Sequence, residues 1–263
     1  ARVRGMARLF FRLLPLLVLL APVMAGESLR LLAYNIKHGQ GMDGKIDLER
    51  SARIIAREKP DLVALQEVDK HCKRSGSVDQ AAELGRLLGM EHRFGKFMDF
   101  QGGEYGMAVL SKIPIEATHV HALPPGAEPR CALEVVVRPA GWPGTLSLVS
   151  VHHDWINEEV RVKQVSALLD RVDKRGHPVI LAGDFNAEPG SASLELLKEQ
   201  SWKMLRKGRA DTCPSVEPEF EIDFFFARGL PDFSYEDKVI EEKEASDHRP
   251  IAVVISPNEE PGE

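Results

Sequence analysis

The sequence reads as a layered α/β or α+β sandwich. Strand-length apolar runs recur from Leu29 to Ile255, and amphipathic helical stretches separate the early ones. No proline-rich, glycine-serine or single-charge linker divides the chain after Glu27, and no internal repeat is present. One domain over residues 26–263 is therefore expected, and strands outnumbering helices in the second half fits the layered sandwich.

Taken in order, Leu29 to Asn35 reads as a strand, and Ile46 to Glu58, with Leu48, Ala52 and Ile55 on one face, as a helix that must end before Pro60. Asp61 to Val68 is a buried strand and Asp79 to Leu88 a short helix. Gly106 to Ser111 and Thr145 to His152 are strand-length apolar runs. Asn157 to Lys174 carries Val160, Val165, Leu168, Leu169 and Val172 at helical spacing, with Gly176 where a helix would stop. Strands follow from Pro178 to Gly183, Ile222 to Ala227 and Ile251 to Ile255, and the acidic tail from Pro257 to Glu263 reads as frayed.

Residues 1–25 are set apart from this fold. Arg2, Arg4, Arg8 and Arg12 precede an unbroken apolar stretch, Leu13 to Ala21, and small residues follow at Val23-Met24-Ala25. This is the pattern of a secretory signal, and the apolar stretch is too short for the roughly 20 residues of a spanning helix. An exported mature chain is therefore expected, and nothing in its sequence indicates a membrane span or a partner protein. It carries 30 basic and 40 acidic residues, a net −10 over 238 residues. Such an acidic body does not favour nucleic acid as partner, although a local basic patch would not be excluded. Cys72, Cys131 and Cys213 are too widely spaced for a metal knuckle and allow at most one disulfide.

Polar, ligand-capable residues recur where the apolar strands run out. Asn35 ends the first, Glu67 follows Leu65-Gln66, His152 ends the run from Ser147, and Asp184 and Asn186 follow Ile180 to Gly183. Asp223 opens the run before Phe224, and Asp247-His248 precedes Pro250. An Asp or Asn after a strand is usually a turn former. So many at strand ends, with carboxylates unmatched by nearby lysines, instead suggest one cleft able to hold a hard cation such as Mg²⁺, Mn²⁺ or Ca²⁺. Zinc fits less well, because His152 and His153 are adjacent on a strand and point to opposite faces. No Gly-x-Ser-x-Gly elbow supports a serine hydrolase, and a glycosidase would not need the histidines.

The segments Tyr34-Asn35-Ile36, Leu65-Gln66-Glu67-Val68, Ser150-Val151-His152-His153-Asp154, Gly183-Asp184-Phe185-Asn186, Ile222-Asp223-Phe224 and Ser246-Asp247-His248-Arg249-Pro250 resemble, in order, the motifs of the endonuclease/exonuclease/phosphatase superfamily. The resemblance spans essentially the whole mature chain and implies a four-layer α-β-β-α sandwich of two mixed β-sheets packed face to face with helices outside. It implies a metal-dependent phosphoester hydrolase using Mg²⁺ or Mn²⁺, with Glu67, Asn35 and Asp247 as metal ligands. Asp184 is then the carboxylate that orients or deprotonates the attacking water, and His248, oriented by Asp223, and His152 meet the phosphoryl group. Asn186 and Arg130 would contact substrate. Met107 stands where an Asn is common, which removes an expected amide, and His38 reads as a solvated loop histidine. His152, where abasic-site endonucleases usually carry Tyr, points to the deoxyribonuclease and sphingomyelinase side. The charge favours a small or lipid-derived phosphoester; a DNA endonuclease is the alternative, and a non-catalytic binding module the second.

Overall fold

The computed structural model describes residues 27–206 and 208–258. The expected signal segment lies outside them, as does the tail from residue 259. The chain first forms β1 (Leu29–Asn35), α1 (Leu48–Glu58), β2 (Leu62–Lys70), α2 (Gln80–Leu88), β3 (Glu91–Phe100) and β4 (Gly103–Ser111). It continues through β5 (Ile115–Ala122), β6 (Cys131–Val137), β7 (Leu146–His152), α3 (Glu158–Val172), β8 (Val179–Asp184) and α4 (Ala192–Glu199). The last elements are β9 (Lys203–Met204), β10 (Asp223–Arg228), β11 (Phe233–Val239) and β12 (Ile251–Pro257).

Two six-stranded sheets result, ordered β11-β12-β1-β2-β4-β3 and β5-β6-β7-β8-β10-β9. Each is mixed: β1 runs parallel to β2 and antiparallel to β12, while β7 runs parallel to β8 and antiparallel to β6. The period-2 alternation of a strand splits β1 between two cores. Leu31 and Ala33 join Leu133, Leu148, Ile180 and Phe225 between the sheets, whereas Leu32 and Tyr34 pack outward with Ile55 and Leu84 of α1 and α2. On the far side α3 and α4 bury Leu168, Leu169 and Leu197 against Val149, Leu181 and Phe226. Each fully buried leucine or valine contributes roughly 1.5–3 kcal/mol relative to exposure. The outcome is the four-layer sandwich.

Local chemistry sets the helix starts. Asp47 Oδ1 accepts from Arg50 N at 2.9 Å, Asp79 Oδ1 from Ala82 N at 3.1 Å and Asn157 Oδ1 from Glu159 N at 2.8 Å, each capping a helix N-terminus. The α1 helix therefore begins at Leu48, two residues later than the apolar periodicity suggests, and ends as Lys59 turns left-handed before Pro60. At the other end of the chain, β12 runs on through Pro257, paired with Phe233, so the tail is ordered further than its composition indicates.

Under the cleft the sheets approach closely at Gly183. Its φ is +138°, and a Cβ there would collide with the Val151 carbonyl and the Gln66 amide. Gln66 crosses between the sheets, its Nε2 donating to Ser150 Oγ at 2.9 Å, while Ser150 Oγ donates to the Leu65 carbonyl. None of the helices among the described residues is long and apolar enough to cross a membrane.

Candidate active site

Strand direction gathers the polar residues at one edge. Parallel pairing sets His152 of β7 opposite Asp184 of β8, and antiparallel β10 sets Asp223 on the other side of Asp184. In the facing sheet Asn35 ends β1 beside Gln66. An irregularity in β2 between Leu65 and Val68 puts Glu67 at φ 57°, which breaks the strand alternation and leaves Glu67 lining the cleft while Gln66 stays between the sheets. The loop before β12 carries Asp247 and His248 and is stapled to β1 by Ser246 Oγ, which donates to the Asn35 carbonyl at 2.7 Å. The cleft is ≈ 290 Å³, and Glu67, Arg130, His152, Asp184, Asn186 and His248 are among its lining residues.

Asp184 is the hub. Its Oδ1 accepts from Asn186 N at 2.9 Å, and its Oδ2 accepts from Asn35 Nδ2 at 3.2 Å. The same Oδ2 lies 3.5 Å from His152 Nε2 and 3.7 Å from His248 Nε2. Asn186 adopts φ 50°, a left-handed conformation its short amide tolerates, so the Gly-Asp-Phe-Asn turn folds its own backbone onto the carboxylate. On its other edge His248 Nδ1 meets Asp223 Oδ2 at 2.9 Å, and Thr212 Oγ1 donates to that same oxygen at 2.6 Å. The near-complete burial of Asp184, His152 and His248 makes these contacts electrostatically strong.

Burial pushes the Asp184 carboxyl up to about 7, against the pull of His248 and with a smaller push from Asp223. Burial alone would lower His248, but Asp223 and Asp184 on its two sides hold it well above the ordinary 6.5. His152 is driven well below that value by burial, with Arg130 and His248 adding to the effect. Three interacting groups in one cleft thus sit in three different protonation regimes.

Asn35 Nδ2 also donates to Glu67 Oε1 at 3.1 Å, which joins Glu67, Asn35 and Asp184. Asp247 stands slightly apart, its Oδ2 2.8 Å from Lys37 Nζ, which holds its carboxyl below the usual range against the opposing effect of burial. Arg130 is buried beside Phe97, its guanidinium carbon 5.1 Å from the ring centroid and its Nη1 2.9 Å from Glu128 Oε2. Its Nε has no hydrogen-bond partner among the described residues.

Not every sequence expectation converges here. His153 points away from the cleft as strand alternation requires and packs edge-on against Phe185, with ring centroids 5.3 Å apart. His38 is half-buried, not solvated: burial and Arg74 lower it to about 4 and leave its Nδ1 without a partner among the described residues. Met107 fills core between the sheets in place of an amide. Sequence reasoning missed Tyr105, whose hydroxyl is pushed up by burial and the nearby Glu67, and Thr212, the second partner of Asp223. Neither sits at the end of an apolar run, so no pattern in the sequence marks them. The three cysteines are unpaired.

A profile of the Endonuclease/Exonuclease/phosphatase family matches residues 32–248. An Enterococcus faecalis V583 protein described as functionally unknown superposes with a TM-score of 0.74 at 19% identity, covering 88% of this chain and 100% of its own. An endonuclease/exonuclease/phosphatase from Beutenbergia cavernae DSM 12333 gives a TM-score of 0.68 at 25% identity, covering 88% and 72%. A mannosyl-6-phosphatase from Bacteroides thetaiotaomicron VPI-5482 gives 0.70 at 17%, covering 86% and 99%. With the motif residues gathered at one edge of a four-layer sandwich, the chain belongs to the endonuclease/exonuclease/phosphatase family, whose members are typically phosphoester hydrolases.

Proposed function

We propose that this chain is an exported, divalent-metal-dependent phosphoester hydrolase acting on small substrates by in-line attack of water. The observation that carries this reading is the buried Asp184 carboxylate, within 3.5 Å of one imidazole and 3.7 Å of another, inside a cleft that also presents Arg130 and Asn186. Ionised, Asp184 accepts the proton of a water aimed at phosphorus. Asp223 keeps the His248 ring charged and oriented, so its Nε2 proton is available to a phosphoryl oxygen or leaving group as charge develops. His152, held neutral, contributes a hydrogen bond without adding charge beside Arg130. Asn186 donates to the water or phosphoryl oxygens, and Arg130 binds the phosphate.

The donor set fits a hard cation. Glu67 and Asp247 offer carboxylate oxygens, and Asn35 can offer its amide oxygen, which accepts from Lys37 N at 3.1 Å, the ligand type that Mg²⁺ and Mn²⁺ prefer. Asp184, Asp223 and His248 also bring ligand atoms within 4.8 Å of one another, but an imidazole held charged has no lone pair to give, which favours the first set. A bound Mg²⁺ or Mn²⁺ would polarise a phosphoryl oxygen and offset its charge. Export is supported by the basic, apolar and small-residue order of residues 1–25. The acidic chain favours a small or lipid-derived ester over DNA.

The test is hydrolysis of p-nitrophenyl phosphate and bis-p-nitrophenyl phosphate with Mg²⁺, with Mn²⁺ and with chelator, beside plasmid-nicking and sphingomyelin assays. Chelator-sensitive turnover is expected, falling about 10²–10⁴-fold in Asp184→Asn with an unchanged circular dichroism spectrum. Wild-type turnover in Asp184→Asn would overturn the reading, and preferred plasmid nicking would replace the substrate class with DNA.

A further inference from the structure

Trp155 stands exposed in the turn before α3, beside the equally exposed Ile156. Trp142 and Trp202 are 9% and 3% exposed, whereas Trp155 is 60% exposed and lines the same cleft as His152 and Asp184. The turn that carries it is tied down by hydrogen bonds. Asp154, itself buried, accepts from Ile156 N at 3.0 Å and Asn157 N at 2.7 Å through Oδ1, and from Ala127 N at 2.6 Å through Oδ2. Its own N–H donates to Gln164 Oε1 at 2.8 Å, and its carbonyl accepts from Arg161 Nη1 at 3.0 Å. A bulky indole is thus presented from a fixed backbone, so little ordering is lost when a ligand meets it.

The groups around that indole are polar. Glu128, which lines the same cleft, supplies a carboxylate acceptor, its side chain 40% exposed. A carboxylate at the rim repels a second phosphate, which disfavours polyanions. A nucleobase would gain from aromatic faces on both sides, but Tyr105, another aromatic lining the cleft, is 7% exposed. One flat apolar face flanked by a hydroxyl-binding carboxylate suits a saturated ring that has a C–H face and a hydroxylated edge.

Resting on the phosphohydrolase reading above, we propose that Trp155 is the platform for the substrate's non-phosphate part, and that this part is a hydroxylated, sugar-type ring whose hydroxyls meet Glu128 while Arg130 and Asn186 stay on the phosphate. The phosphate then lies toward Asp184 and the ring toward Trp155.

Two readouts test this. In the first, kcat/KM is compared for glucose 6-phosphate, glycerol 3-phosphate and AMP in the full chain and in Trp155→Ala and Trp155→Phe. The selectivity ratio of glucose 6-phosphate over glycerol 3-phosphate is expected to fall about tenfold in Trp155→Ala, mainly through KM, and to be largely kept in Trp155→Phe. In the second, tryptophan emission is followed in Asp184→Asn with Mg²⁺. Glucose 6-phosphate is expected to shift it saturably to the blue, glycerol 3-phosphate is not, and the shift disappears when Trp155→Phe is added. An unchanged ratio, or no emission shift with glucose 6-phosphate, would overturn the proposal. A Trp155-dependent preference for AMP would overturn it too, in favour of a base platform. The emission readout needs no turnover, so a chain inert toward every ester would sink the hydrolase reading while still deciding this one.

Discussion

The Asp223→Asn substitution tests the electrostatics of the site most directly. Asp223 Oδ2 lies 2.9 Å from His248 Nδ1 and Asp184 Oδ2 lies 3.7 Å from Nε2, so two carboxylates support one imidazolium. With an effective dielectric constant of about 20, the closer pair is worth about 6 kcal/mol of gross attraction and the farther about 4 kcal/mol. Removing the closer carboxylate takes away more than half of that support, while burial still opposes the charged ring. The His248 pKa should therefore drop markedly. In wild type, kcat should rise as pH climbs through about 7, where Asp184 ionises, and fall only at higher pH as His248 loses its proton. In Asp223→Asn the alkaline limb should move to lower pH, and kcat should fall by about 10²–10⁴ because orientation of the ring is lost as well. The assay is a pH–rate profile on bis-p-nitrophenyl phosphate from pH 5 to 10. An alkaline limb within half a unit of wild type, with kcat within twofold, would refute the reasoning.

Glu67→Gln removes one negative charge from the proposed metal ligands and should raise the Mg²⁺ concentration for half-maximal activity at least about tenfold, read by metal titration; an unchanged midpoint would move the ion elsewhere. Far from the cleft, Glu134 is buried between His121, Ser147 and Arg175, and their hydrogen bonds outweigh its burial to hold it at about 2. A depressed carboxyl stabilises the fold fully above its ordinary 4.5, and that contribution is lost as pH falls through about 2. Glu134→Gln should lower Tm at pH 7 by several degrees, in line with a loss of a few kcal/mol. It should also flatten the decline of Tm between pH 4.5 and 2, as differential scanning calorimetry would show.

What the sequence made legible follows from which residues face two cores. β1, β2, β7, β8, β10 and β12 are interior strands with nearly continuous apolar runs, and all are marked in the sequence. β3, β5 and β11 are edge or near-solvent strands, and Glu236 and Lys238 of β11 show how their charged outward positions hide the pattern. β6 is fully buried yet missed, because Glu134 interrupts Cys131 to Val137 and is neutralised only by partners distant in sequence. α4 has just eight residues, too few for periodicity to speak. Most polar site residues were legible because each borders an apolar run, Asn35, Glu67, His152 and Asp184 after one and Asp223, Asp247 and His248 before one. Tyr105, Thr212 and Trp155 were not, since their relation to the cleft exists only in three dimensions.

The order of strands has a consequence for when the site exists at all. β1 through β4 and then β11 and β12 make one sheet, and every strand of the other is made between them. Leu29, in the first strand, pairs with Ile255, in the last. A ribosome would release Asn35 and Glu67 long before His248, and the loop bearing His248 is held in place by the strand that follows it. The cleft therefore cannot assemble before β12 is made, and closing it requires contacts between the most distant parts of the described sequence, a slow kind of step for a polypeptide. That topology delays the site until synthesis of these strands is over.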